Sequence, residues 1–183
     1  MEFALFEGAE EEQGLSTVCP THRKITIEIE NATRGYYLIN PRFHLISGGY
    51  LKPLPIDINP GTRDTATFEK TRHTAEGSIG VFTYDLSDIW GLNGSDPTKK
   101  MAVMFSVPYD FSRHSNWHAV GVFNIDEICD DDLYCKMFND NSSCFVRGKA
   151  ADGSLKYEHR DVVIHASMSD TCTPELKLKV EQG

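Results

Sequence analysis

Residues Lys24-Ile-Thr-Ile-Glu-Ile-Glu30 alternate polar and apolar side chains without a break. A period of two puts Ile25, Ile27 and Ile29 on one face of a strand; a helix would scatter them around its circumference. Leu176-Lys-Leu-Lys-Val180 repeats the pattern near the other end of the chain. Strands with one apolar face each require sheets packed over a common core.

The stretch between them reads the same way. Gly35–Ile39 and Phe43–Ile46 form one strand bent at Pro41, and Thr65–Glu69, Ser78–Tyr84, Met101–Val107, Ala119–Asn124 and Asp161–Ala166 are further strands. Gly48-Gly49, Asn59-Pro-Gly61 and the loop Gly91–Lys100 supply the turns. One helix stands out after Cys129. Asp130-Asp-Asp132 provides an N-cap and acidic charge at the positive end of the helix dipole. Leu133 with Met137, and Tyr134 with Phe138, then fall at i, i+4 spacing. About eight strands with one or two helices predict a β-sandwich.

A chain of 183 residues suits one domain with a full core. Residues 1–22 read as a separate acidic segment, with five carboxylates and no Lys or Arg, and 23–183 as the sandwich. The net charge of −9 argues against nucleic acid as a partner, because phosphate binding needs a basic stripe. No apolar run approaches the ~20 residues of a membrane-spanning helix. The first residues carry no basic region and too short an apolar run for a signal peptide. The expectation is a soluble protein, either cytosolic, released by an unconventional route, or already processed. The five cysteines are Cys19, Cys129, Cys135, Cys144 and Cys172. Cys129, Cys135 and Cys144 cluster, so one bridge there is open, although the compartment reading favours free thiols. Sequons at Asn31, Asn93 and Asn141 are expected to be unused.

The segment Met101–His118 carries the functional signal. An apolar strand breaks at Pro108 and enters a loop holding Tyr109, Phe111, His114, Trp117 and His118. That loop has no partner chemistry of an enzyme. The chain contains no G-x-S-x-G, P-loop or dinucleotide fingerprint, and its seven histidines form no metal-spaced pair. The reading is therefore of a binding protein, without catalysis, cofactor or metal.

Phe105-Ser-Val-Pro-Tyr-Asp110 followed by Ser115-Asn-Trp117 resembles the actinoporins, the pore-forming cytolysins of sea anemones, and more closely their counterparts in bony fish. Further matches fall in order: Arg23-Lys-Ile25 with Glu30-Asn31, Gly77-Ser-Ile-Gly-Val-Phe-Thr-Tyr84, Asp132-Leu-Tyr134 through Phe138, and Met168-Ser-Asp170. The resemblance implies an actinoporin-like β-sandwich flanked by two short α-helices. It also implies binding of phospholipid headgroups, usually the phosphocholine of sphingomyelin, and assembly on the membrane into cation-permeable homo-oligomeric pores. A similar sandwich in fungal lectins binds glycans, which gives the alternative of a non-lytic lectin or lipid-binding module.

Carried over position by position, the resemblance places the headgroup site at Ile79, Ser106, Pro108, His114, Tyr134, Phe138 and Asn139. Ser106, Pro108 and Tyr134 keep the family type. His114, Phe138 and Asn139 stand where the family has Tyr, so ring hydroxyls are lost. Tyr109, Phe111, Arg113, Trp117 and His118 fall on the implied membrane-interface loop, with Arg113 and His118 in place of aromatics. Arg147-Gly-Lys149 stands where the family has R-G-D. The family's pore is lined by an N-terminal helix. Here Phe3, Leu5 and Phe6 can anchor in an interface, while Gly8, Gly14, Pro20 and the run Glu10–Glu12 oppose a continuous apolar face.

Overall fold

A computed structural model describes residues 22–88 and 96–183. These residues form two packed sheets with one helix laid on the outside. The chain order is β1 (Lys24–Ala32), β2 (Tyr36–Ser47), β3 (Gly49–Lys52), β4 (Thr62–Glu69), β5 (Ser78–Asp88), β6 (Lys99–Val107) and β7 (Trp117–Asn124). It continues with α1 (Asp131–Asn139), β8 (Phe145–Lys149), a 3-10 turn (Ala150–Asp152), β9 (Leu155–His159), β10 (Val162–Met168) and β11 (Glu175–Gln182). One sheet runs β3-β4-β1-β11-β10-β9 and the other β2-β5-β6-β7-β8.

The two alternating segments are neighbours. Strands β1 and β11 pair in parallel, with Ile27 beside Leu176 and Ile29 beside Leu178. Their apolar face meets Phe82, Tyr84, Met101, Val103, Phe105 and Val120 of the opposite sheet, all fully buried. Phe68 and Phe105 touch across this core with ring centroids 5.1 Å apart.

Strand β6 shows no alternation because both of its faces are covered. Val103 and Phe105 face the sandwich core, whereas Ala102 and Met104 face α1. The helix begins as its sequence predicts: the Asp130 carboxylate accepts a hydrogen bond from the Leu133 amide at 3.0 Å. Leu133, Tyr134 and Met137 then pack on Val81, Met104 and Ala119.

The β-sandwich expectation holds, and the bend in the second strand is a register shift between Ile39 and Arg42. Three short strands escaped the sequence reading: β3, β8 and β9. Of the flanking helices, α1 is described; the expected N-terminal helix lies outside the described residues, as does the sequon at Asn93. Asn31 is fully buried, so its sequon is closed to a glycan, while Asn141 is exposed. Cys172 is disulfide-bonded, which corrects the expectation of free thiols throughout. Cys129, Cys135 and Cys144 are indeed free. A bridge follows from proximity in the fold, which spacing does not reveal. Burial pushes the Cys129 thiol up to about 11, so it stays protonated.

Candidate functional site

The site grows from one cross-strand row. Ile79 pairs with Ser106, Ser106 with Trp117, and Trp117 with Lys149. Paired residues share a sheet face, so these four side chains line up on the helix-covered face of β5, β6, β7 and β8. Tyr134 and Phe138 of α1 overhang the row, and Pro108 with the turn Arg113–Ser115 closes the other side. Together they enclose an open cleft of about 430 Å³.

Six of the seven predicted headgroup residues line this cleft: Ile79, Ser106, Pro108, His114, Tyr134 and Phe138. Asn139 does not. Its exposed amide donates to the Cys135 carbonyl at 3.0 Å, one turn back, so it ends the helix. The rings contact one another. Tyr134 and Phe138 stack at 5.7 Å between centroids, and Phe138 meets Trp117 edge-on at 6.1 Å. Tyr134 is 8% exposed; its burial raises the phenol pKa, partly offset by the Ser106 hydroxyl.

The predicted interface loop divides. Arg113 lines the cleft, and its guanidinium pairs with Asp110 at 3.3 Å. Trp117 lies under the Arg147 guanidinium at 4.4 Å and the Lys149 ammonium at 5.8 Å. Tyr109 and Phe111 are half-buried outside the cleft, Tyr109 with Arg23 and Lys70 over its ring. His118 is a correction. It sits in β7 one residue after Trp117, so the pleat turns it into the sandwich, where it is fully buried. It cannot face a membrane.

Neither His118 nitrogen makes a well-formed hydrogen bond. Desolvation holds the imidazole below its ordinary pKa, weakly opposed by the backbone of Ala166 and Gly148. The unfolded chain therefore binds a proton near about pH 6.5 that the fold refuses. The stabilisation is complete above that pH and is lost as pH falls towards the lower folded value. A His118→Leu variant is expected to flatten the loss of Tm between about pH 7.5 and 5.5. His159, also held low mainly by desolvation, acts in the same window and cancels in the comparison. Parallel pH profiles for the two proteins would refute the assignment.

Residues outside the predicted headgroup site hold the loop. The Arg23 guanidinium, buried beside β4, donates to the Pro108 and Tyr109 carbonyls. Fully buried Asn116 donates to the Thr171 carbonyl at 2.7 Å. The Asn116 main-chain carbonyl accepts from the Ala150 amide at 2.9 Å. The Ser115-Asn-Trp117 motif is thereby tied to the turn just after Met168-Ser-Asp170. Lys149, Arg147 and Ser115 are the site residues that the sequence reading missed. The one available signal was the i, i+2 spacing of Arg147 and Lys149, which gives two cations one strand face. Among the described residues no three His, Cys, Asp or Glu side chains converge as metal ligands, and no helix is long and apolar enough to cross a membrane.

Two sheets, a helix across the outer face and a ring-lined cleft between helix and loop define an actinoporin-type sandwich. The family model described as sea anemone cytotoxic protein matches residues 11–182, and the chain belongs to that family. It is 28% identical to bryoporin of Physcomitrium patens over 159 residues, 86% of this chain and 84% of the relative. It is 33% identical to DELTA-actitoxin-Aas1a of Anthopleura asiatica over 126 residues, 66% of this chain and 54% of that toxin. Alignments with such anemone toxins span about half their length. The crystal structure of lipid binding protein Nakanori superimposes with a TM-score of 0.65 at 15% identity, covering 86% of this chain and 70% of that one. That likeness concerns the fold.

Proposed function

We propose that this protein binds membranes by seating a lipid headgroup in the cleft, and that bound copies assemble into cation-permeable pores. The carrying observation is the row Ile79, Ser106, Trp117 and Lys149 beneath Tyr134 and Phe138. It offers hydroxyls and cations for a phosphate beside apolar ring surface for the part of the lipid that adjoins it. Phosphocholine, as in sphingomyelin, is the ligand that the family resemblance implies. Membership of a family of cytotoxic proteins supports the pore, with residues 1–22 as the inserting segment.

The test is binding to, and dye release from, phosphatidylcholine vesicles with and without sphingomyelin, using the full chain. Tyr134→Phe keeps the ring packing and removes the hydroxyl, so binding is expected to weaken about three- to tenfold with little change in Tm. Tyr134→Ala is the poorer probe, because a side chain this buried also anchors α1 to the sheet. Equal binding by Tyr134→Phe and the parent protein would remove the hydroxyl from the site. Glycan binding with intact vesicles would move the protein to the lectin alternative.

A further inference from the structure

The cleft's charge is opposite to that of the molecule. Asp and Glu outnumber Lys and Arg by 27 to 18 in the chain, yet among the described residues no carboxylate lines the cleft. Arg113 and Lys149 do line it, and Arg147 lies beside it over Trp117. Arg113 has Asp110 as a counter-charge. Among the described residues Arg147 and Lys149 make no ion pair and lie instead over the Trp117 ring. Two cations left without a carboxylate in an acidic protein mark a place built for an anion from elsewhere.

The same geometry works against a quaternary ammonium. Choline is held by open faces of aromatic rings. Here Trp117 is already occupied by two of the protein's own cations, and Phe138 lies against Tyr134 on one side and Trp117 on another. A choline brought to Trp117 meets like charge there. A phosphate meets the Ser106 and Tyr134 hydroxyls on one wall and Lys149 at the end of the same cross-strand row.

We infer that the cleft selects a lipid headgroup ending in a phosphate monoester over one ending in choline. The inference rests on the headgroup reading above and goes beyond it by naming the ligand's terminal group. A monoester exposes three oxygens and up to two charges to the cations, whereas the phosphodiester of phosphocholine brings a single negative charge and a positive neighbour.

The test is co-sedimentation of the full chain with phosphatidylcholine vesicles carrying equal fractions of phosphatidic acid, sphingomyelin or phosphatidylglycerol. Phosphatidic acid vesicles are expected to bind about tenfold more tightly than either of the others. Lys149→Gln, at an exposed position, is expected to erase that advantage, while Lys149→Arg retains it. Inorganic phosphate should compete and choline chloride should not. Preference for sphingomyelin overturns the inference and leaves the headgroup reading standing. Equal binding of phosphatidic acid and phosphatidylglycerol reduces the effect to general charge and also overturns it. Competition by phosphate without uptake onto phosphatidic acid vesicles overturns the lipid source. Absence of binding to every vesicle defeats both readings together.

Discussion

Gly121→Ala is expected to cost about 3 kcal/mol of stability and to dismantle the cationic side of the cleft. Gly121 sits in β7 opposite Phe145 of β8. A Cβ there would lie 2.1 Å from the Cys144 carbonyl oxygen and 2.5 Å from the Phe145 Cβ. The first of these neighbours is backbone, so no rotamer change relieves the clash and β8 must move away from β7. Arg147 and Lys149 ride on β8, and their positions over Trp117 depend on this pairing. The variant should therefore melt earlier and bind anionic vesicles less well than its remaining folded fraction accounts for. Gly49→Ala is the control, since a Cβ there meets nothing within 4 Å. It is expected to fall within about 0.5 kcal/mol of the parent protein. Thermal unfolding and vesicle co-sedimentation of both variants check the pair, and unchanged stability of Gly121→Ala would contradict the described β7–β8 contact.

Asn31→Ala is expected to remove about 3–4 kcal/mol, seen as a fall in Tm of roughly 10 °C. The Asn31 amide is fully buried at the end of β1 and makes four hydrogen bonds. Its nitrogen donates to the Tyr36 carbonyl at 2.7 Å and the Ile58 carbonyl at 2.9 Å. Its oxygen accepts from the Thr33 amide at 3.2 Å and the Thr33 hydroxyl at 2.7 Å. Alanine removes all four bonds: the buried Thr33 amide loses its acceptor, while the Tyr36 and Ile58 carbonyls each drop to one donor, Thr33 and Leu38 respectively. Asn31→Asp tests the same point with the size kept, because a carboxylate there accepts from Thr33 but faces two carbonyls with no donor. A stability loss under 1 kcal/mol for both variants, by chemical denaturation, would rule out this network as the tie between β1 and β2.

Much of the fold was legible because burial on one face writes itself as alternation. Strands β1 and β11 are the plainest cases, and α1 was legible from its Asp130 cap and its i, i+4 pairs. The strands that escaped are short or carry charge. Strand β3 has four residues, and β8 holds Arg147, Gly148 and Lys149, a composition that suggests a loop. Their strand geometry comes from ladder pairing with β4 and β7, which is not a local property.

The site was legible wherever a motif spans it. Ser106 and Pro108 lie on one continuous strand end, and Tyr134 with Phe138 on one helix face. His118 was misplaced because residues 114–118 read as loop, where spacing assigns no side. Once β7 begins at Trp117, the pleat sends Trp117 out to the cleft and His118 into the core. Asn139 was misplaced because the helix ends on it, and an amide there finds its own backbone first.

By itself, then, the sequence determined the sandwich, the capped helix and the side of the molecule that carries the loop. These follow from periods of two and 3.6 and from turn and cap chemistry, all short-range along the chain. Only the tertiary structure decided the cleft's charge. Lys149 and Arg147 come from the strand that follows α1 in the chain, and the β7–β8 register brings them to Trp117. Register is fixed by the packing of whole sheets, and no local pattern along the chain records it.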